Sequence, residues 1–384
     1  MESISQKELS KGKENMPKCD FLIVAGGTGG HVFPALSVAL ELRYIGYRLS
    51  WLGQPGSLEE RIATENNINF IPHTSPPWHG AGILGKMTLV TRLTASCFKA
   101  WGLLNDLNPK VIVAFGGHVT VPVGINSWLQ GRKLILHEQN LIPGKANKLL
   151  AYIADKIMTG FAGAFSTKKT TTYTGNPLRR EISEITSKTQ SIKTGLATPM
   201  KVLVLGGSNG SDKMNHLIVD AFAMLGQDFK VWHQTGKRNL NEIKTRYLEL
   251  HKDAYVEEFI EDMASAYQWA DVVITRAGAM TIAEVLAFAK PSILIPNPRC
   301  AKNHQLYNAM SIADQGAASC TLEDMPNFAT EISGKLMFWL ANPQEYYKVS
   351  KAAKELHDTE DTLARIVSIC EEFYDASDVV KVTE

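Results

Sequence analysis

Short apolar runs alternate along this chain with stretches whose apolar positions recur every three or four residues. FLIVA (21–25), RLSWLG (48–53), KVIVAFGG (110–117) and KLILHEQ (133–139) read as strands in the first half. MKVLVL (200–205), FKVWHQTG (229–236), YVEEFI (255–260), DVVITRAG (271–278) and PSILIPNP (291–298) do so in the second. Near-continuous apolar runs of this length mark strands buried on both faces, as parallel strands are. Helical stretches between them, such as 280–288 and 304–312, complete a strand–helix alternation that predicts parallel sheets covered by helices.

The pattern also repeats. DFLIVAGGTGGHVFPALSVAL begins near residue 20 and MKVLVLGGSNGSDKMNHLIVDAF near residue 200. Gly26-Gly27 and Gly206-Gly207 are 180 positions apart, Thr28 matches Ser208, and Gly30 matches Gly210. Each segment reads strand, glycine loop, helix, the opening of a doubly wound unit. The expected fold is therefore α/β, with two doubly wound Rossmann-like domains facing across a cleft. The join falls near TGNPLRREI (174–182), where Asn176-Pro177 is a turn signal, and SEITSKTQSIKTGLATP (183–199) reads as a polar linker. Expected boundaries are 1–19 for a disordered extension, 20–178 and 179–355 for the two domains, and 356–384 for a C-terminal helix and tail that packs back on the first domain.

Composition narrows the field. At 384 residues, 45% hydrophobic and 21% charged, the chain has material for about two cored domains. A net charge of +1 gives no global field for nucleic acid. Five cysteines, an odd number and scattered, fit neither a disulfide framework nor zinc spacing. No apolar run reaches the roughly 20 residues of a membrane helix, and the polar start carries no signal-peptide core.

The glycine loops are the candidate chemistry. GGTGGH lacks the Gly-Lys-Ser/Thr ending of a Walker loop. The dinucleotide fingerprint G-x-G-x-x-G would need glycine where Val32 stands, and Gly53-Gln54-Pro55 occupies the place of its acidic residue. What remains is general: glycines bring backbone N–H groups close to an anion, and a helix N-terminus adds positive potential. The same glycines would also serve close strand–helix packing alone. RAGAMTIAE (276–284) forms a third such loop, with Glu284 either facing a ligand or simply solvated.

Together these motifs resemble the MurG family, UDP-N-acetylglucosamine:lipid I N-acetylglucosaminyltransferases with the GT-B fold. The matching stretches are GGTGGHVFPALSVA, LHEQNLIPGKANKLLA, TGNPLR, LGGSNGS, EFIEDMASAYQWADVVITRAGAMTIAE and NHQLYNA. They run in family order from residue 24 to about residue 318. The resemblance implies transfer of GlcNAc from UDP-GlcNAc to the C4 hydroxyl of MurNAc on undecaprenyl-diphosphate, with inversion, giving lipid II for peptidoglycan synthesis. It implies no cofactor and no metal; Asp106 and Asp155 stand singly, without an acidic pair for a diphosphate-bound metal. It implies a peripheral enzyme on the cytoplasmic side of the bacterial inner membrane. By position, Thr28, Gly29 and Gly30 of the first loop touch substrates. Asn140 reaches the donor sugar from the N-terminal domain, and Arg179 lies at the join. Ser208 sits by the diphosphate and Ile260 presents backbone atoms to uracil. Ala279, Met280, Thr281, Ile282 and Ala283 form the diphosphate-facing helix start, with Glu284 on the ribose. Gln305 reaches the GlcNAc hydroxyls, with Asn308 adjacent. Two places depart from the family pattern. Asn209 replaces glutamine in the second loop, and His118 replaces an aromatic hydroxyl on the acceptor side.

Sugar transfer with inversion needs a base. His31, at a helix start, is the candidate base, with substrate positioning and loop ordering as alternatives. His118 is a second histidine near the expected site, and His137 and Glu138 lean structural. Residues 76–106 carry Ile83, Leu84, Met87, Leu89, Val90 and Leu93 beside Lys86, Arg92 and Lys99, which suits an anionic lipid surface or an ordinary core helix. Other readings of the chain are another UDP-sugar enzyme (a glycolipid glycosyltransferase or a UDP-GlcNAc 2-epimerase), a nicotinamide-dependent oxidoreductase, and a silent sugar-nucleotide-binding protein.

Overall fold

The computed structural model describes residues 19–76, 82–165, 171–188, 196, 198–207, 210–300, 303–357 and 361–379, with side chains from 90 in the long helix that starts at Gly82 and through 187 and 376 in two later helices. The chain divides into two units. The first takes in the chain up to Gln139, Pro143–Pro177, and the chain from Thr362 on; the second takes in Asn140–Ile142 and Leu178–Asp361.

In the first unit the strands are β1 (Phe21–Ala25), β2 (Leu49–Gly53), β3 (Asn69–Pro72), β4 (Val111–Gly116), β5 (Lys133–Glu138), β6 (Lys156–Thr159) and β7 (Thr171–Tyr173). They form a parallel sheet in the order β3-β2-β1-β4-β5-β6-β7. The period-2 alternation of a strand explains the two-sided core. Phe21, Ile23 and Ala25 point into one layer with Val32, Val38 and Leu42, whereas Leu22 and Val24 point into the other with Leu104, Val119 and Leu134. The C-terminal helix Thr362–Val379 belongs to the first layer: Leu363, Ile366, Val367 and Cys370 recur at helical spacing and are buried there. Tyr374 stacks on Phe21 with ring centroids 5.5 Å apart.

The second unit repeats the plan with β8 (Met200–Leu205), β9 (Phe229–Gln234), β10 (Asp253–Glu257), β11 (Val272–Thr275), β12 (Ser292–Leu294) and β13 (Ser319–Cys320). All neighbours are parallel, in the order β10-β9-β8-β11-β12-β13. Met200, Val202 and Val204 face one core layer, and Leu203 and Leu205 the other. In both sheets the order reverses between the first strand of the unit and the fourth, β1 beside β4 and β8 beside β11. Open α/β sheets bind ligands at that switch point, outside the strand C-termini.

Three details differ from the sequence reading. Cys19 is buried and its N–H donates to Leu107 O at 3.3 Å, so this residue of the expected extension is packed in the first unit. The segment read as a linker begins with the helix Arg180–Lys188; Ile182 and Ile185, three apart, pack with Tyr267 and Val285 and outweigh its polar neighbours. Asn140, expected to act from the N-terminal domain, groups with the second unit.

Candidate functional site

The first glycine loop follows β1 and leads into the helix Gly29–Tyr44. Thr28 is the extended N-cap residue but makes no side-chain cap, and His31 N–H donates to Thr28 O at 3.0 Å. Helix starts leave backbone N–H groups without intrahelical partners, so the N–H groups of Thr28–Gly30 line up for an anion. The loop is braced by the one after β4, where Gly26 N–H donates to Gly116 O at 3.2 Å. Gly116 has a φ of +114°, and a Cβ there would lie 3.0–3.4 Å from three atoms of the His31 ring. Only glycine both adopts that backbone and leaves the imidazole its place. His31 is partly exposed, and its Nδ1 lies 2.8 Å from Gln139 Oε1.

His118 stands in the bracing loop, half-buried. Desolvation lowers its pKa and the Glu59 carboxylate opposes that shift. His137 and Glu138, at the end of β5, are buried. Burial pushes His137 down to about 4, and its Nε2 lies 3.1 Å from Gly175 O. Glu138 Oε2 accepts from Gly144 N–H at 3.0 Å and Asn147 Nδ2 at 2.9 Å, which fixes the following turn. Both side chains are thus held by partners inside the fold.

In the second unit Glu284 sits in the helix Ala279–Ala287, whose extended N-cap is Gly278. The side chain is buried, 9% exposed, and one oxygen takes Arg179 Nη2 at 3.1 Å while the other takes the Tyr267 hydroxyl at 2.9 Å. Burial raises the Glu284 pKa; the Arg179 charge and the two hydrogen bonds pull it back. Ala279 and Ile282 have buried side chains, while Met280, Thr281 and Ala283 are partly exposed. Ile260 is also buried, and its N–H donates to Gln234 Oε1 at 3.0 Å. Gln234 Nε2 in turn donates to Gly207 O at 3.1 Å, tying the Ile260 segment to the second glycine loop. Ser208 and Asn209 lie outside the described residues. Gln305 is half-buried and accepts from Asn297 N–H at 2.9 Å. Asn308 is fully buried. Its amide accepts from Leu141 N–H at 3.0 Å and donates to Asn140 Oδ1 at 3.1 Å, which is why Asn140 travels with this unit.

Four residues escaped the sequence reading: Gln139, Gln234, Tyr267 and Arg276. The first three act by holding a neighbour, and no spacing rule marks such partners. Arg276 is buried against Glu323, 3.1 Å away, and donates to Ser211 Oγ and to Ile295 O at 3.3 Å. Ser211 is the N-cap of the helix Asp212–Ala223 that follows the second glycine loop, so Arg276 fixes that helix start. An arginine inside the apolar run from β11 was the available signal. Among the described residues no group of three or more His, Cys, Asp or Glu is placed to hold a metal ion.

The model of the glycosyltransferase family 28 N-terminal domain matches residues 21–159, and that of the family 28 C-terminal domain matches residues 201–363. A protein of Shewanella amazonensis named UDP-N-acetylglucosamine–N-acetylmuramyl-(pentapeptide) pyrophosphoryl-undecaprenol N-acetylglucosamine transferase is 38% identical over 358 residues, covering 91% of this chain and 97% of that protein. A Coxiella burnetii protein of the same name is 36% identical over 362 residues, covering 92% and 99%. The crystal structure of Acinetobacter baumannii MurG superposes with a TM-score of 0.75 at 29% identity, covering 93% of this chain and all of that one. The glycotransferase of kitacinnamycin, at 17% identity and a TM-score of 0.71, shares the fold.

Proposed function

The chain belongs to the MurG family of UDP-N-acetylglucosamine:N-acetylmuramyl-(pentapeptide) pyrophosphoryl-undecaprenol N-acetylglucosamine transferases, and from that membership we propose how its own residues divide the work. The enzyme transfers GlcNAc from UDP-GlcNAc to lipid I, giving lipid II for peptidoglycan synthesis. Relatives covered to 97% or more carry this reading over the epimerase and oxidoreductase alternatives.

The second unit takes the donor. The Gly278–Ala279 helix start offers N–H groups to the diphosphate, where negative charge grows as UDP leaves. Glu284 accepts from the ribose hydroxyls while Arg179 and Tyr267 each hold one of its oxygens. The Ile260 carbonyl accepts from the uracil ring. Gln305 and Asn140 bind the sugar, with Asn308 holding Asn140 in place.

The first unit takes the acceptor. Thr28, Gly29 and Gly30 cradle its diphosphate, beside His118. His31 removes the C4 hydroxyl proton through Nε2 as that oxygen bonds to the anomeric carbon and the bond to UDP breaks, its electron pair leaving with UDP. Mass spectrometry of a short-chain lipid I analogue incubated with UDP-GlcNAc tests the reaction. A gain of one N-acetylhexosamine is expected; unchanged analogue at full enzyme and donor concentration contradicts it.

The enzyme works on the cytoplasmic face of the inner membrane without crossing it. No helix among the described residues is long and apolar enough to span a bilayer. The helix Gly82–Leu107 supports surface contact instead. Val90, Phe98 and Trp101 share one of its exposed faces, and Arg92 and Lys99 are exposed on the same helix. Apolar contact beside basic charge suits anionic lipid. The side chains of Ile83, Leu84, Lys86, Met87 and Leu89 lie outside the described residues, and Leu93 is only partly exposed. The double substitution Phe98→Ser, Trp101→Ser should abolish flotation with anionic liposomes; unchanged flotation would remove this face from consideration.

A further inference from the structure

A line of side chains runs inward from His31 through the first unit. His31 Nδ1 lies 2.8 Å from Gln139 Oε1. Gln139 Nε2 lies 3.1 Å from His137 Nδ1 and 3.1 Å from the His137 carbonyl oxygen. His137 Nε2 lies 3.1 Å from the Gly175 carbonyl oxygen. Gln139 is 1% exposed and His137 is 0% exposed, so water does not compete for these atoms.

Two of the partners in this line have no choice of role. The carbonyl oxygens of Gly175 and His137 can only accept. His137 Nε2 must therefore carry a hydrogen. A neutral His137 then has a lone pair on Nδ1, which must receive a donor, and that donor is the Gln139 amide nitrogen. The same nitrogen gives its second hydrogen to the His137 carbonyl. With Nε2 of Gln139 turned inward, its Oε1 is turned toward His31 and can only accept. His31 must donate from Nδ1, and its lone pair is left on Nε2.

We propose that Gln139 and His137 are positioning residues that set the tautomer of His31, keeping the proton on Nδ1 and the basic lone pair on Nε2. The reverse orientation of Gln139 would set its oxygen against the His137 carbonyl and a ring lone pair. Relieving that clash would require a second proton on His137, which burial opposes by pushing its pKa down to about 4. The ring of His137 is further held against Phe115, centroids 5.6 Å apart, and the Gln139 carbonyl is held by Asn176 Nδ2 at 3.1 Å. The line thus ends in backbone at its inner end and in a partly exposed imidazole at its outer end. The Nδ1–H form is the minority tautomer of free histidine, so a relay that enforces it leaves a readable mark. The catalytic value of the arrangement rests on His31 being the base; the tautomer itself does not.

The test is long-range proton–nitrogen correlation spectroscopy on the full chain with nitrogen-15 histidine, near neutral pH, using His31→Gln and His137→Gln to identify signals. The expected result is Nδ1–H for His31 and Nε2–H for His137. In Gln139→Leu the His31 signals should move toward the Nε2–H form, and kcat should fall about 10–100-fold with the KM for UDP-GlcNAc unchanged. Gln139→Glu keeps an acceptor toward His31 but loses the donor toward His137, so it should retain the His31 tautomer better than Gln139→Leu does. Finding Nε2–H on His31 in the unaltered protein would overturn the relay, and so would a tautomer unmoved in Gln139→Leu. If the tautomer is as expected but His31→Ala keeps normal kcat, the base assignment fails and the relay stands.

Discussion

Glu284 shows how a single side chain is prepared for a ligand. A lone carboxylate this deeply buried would be driven toward its neutral form, but Arg179 and the Tyr267 hydroxyl each hold one oxygen. Tyr267 is itself buried beside that carboxylate, which keeps its pKa well above the ordinary value and its hydroxyl a donor at every working pH. Hydrogen bonds to charged groups are worth about 1.5–3 kcal/mol. Tyr267→Phe is therefore expected to raise the KM for UDP-GlcNAc by roughly tenfold or more, with kcat nearly unchanged, because Glu284 holds the part of the donor that does not react. Initial-rate kinetics over a donor series reads the split directly; a fall in kcat at constant KM would place Tyr267 in another role. Glu284 could be singled out from sequence because it follows a glycine loop at helical spacing. Tyr267 could not, since its partner lies 17 residues away on a different helix and nothing in AYQWAD announces it.

At the scale of elements, the glycine loops are held in shape by a few buried polar residues. Arg276 ties the end of β11 to the N-cap of the helix after β8, and Glu323 neutralises it with both side chains less than 10% exposed. Removing one partner of a buried ion pair strands the other and costs about 3–5 kcal/mol. Glu323→Ala should lower stability by that amount in urea unfolding; a loss under 1 kcal/mol would show that the pair is not what holds the loop. The strands β1, β2, β4, β5, β8, β9, β11 and β12 were legible because strands covered on both faces are apolar throughout, and β10 because its YVEEFI run kept enough of that character. Asn69–Pro72, Lys156–Thr159, Thr171–Tyr173 and Ser319–Cys320 were not. All are two to four residues long, and the first, third and fourth are sheet edges whose polar residues match no buried pattern. The helix Arg180–Lys188 was hidden in the same way, its two core isoleucines outnumbered by polar neighbours.

For the whole molecule, buried histidines set a pH limit in both units. Burial pushes His73 and His137 down to about 4 and His233 down to about 3, against 6.5 for an unhindered side chain. The unfolded chain takes up these protons before the folded one does, so stability is complete above about 6.5 and is lost as pH falls toward 4. Each histidine contributes on the order of 3 kcal/mol by this linkage. The urea midpoint is expected to drop between pH 7 and pH 5, above the range where carboxylates titrate; equal midpoints would contradict it. The doubled architecture itself was readable from the 180-residue repeat of strand, glycine loop and helix. What the repeat did not carry was the crossing of Asn140–Ile142 and of Thr362 onward between units, because long-range packing and the Asn308 amide decide those.

The division of labour between a donor-holding unit and a base-supplying unit stands or falls on His31. The single-turnover rate of His31→Ala at saturating UDP-GlcNAc and lipid I analogue, measured beside its donor affinity, addresses it. The rate should fall by about 10²–10⁴, as loss of a general base does, with UDP-GlcNAc affinity unchanged. A near-normal rate would contradict the assignment, and a parallel loss of donor affinity would make His31 a binding residue instead.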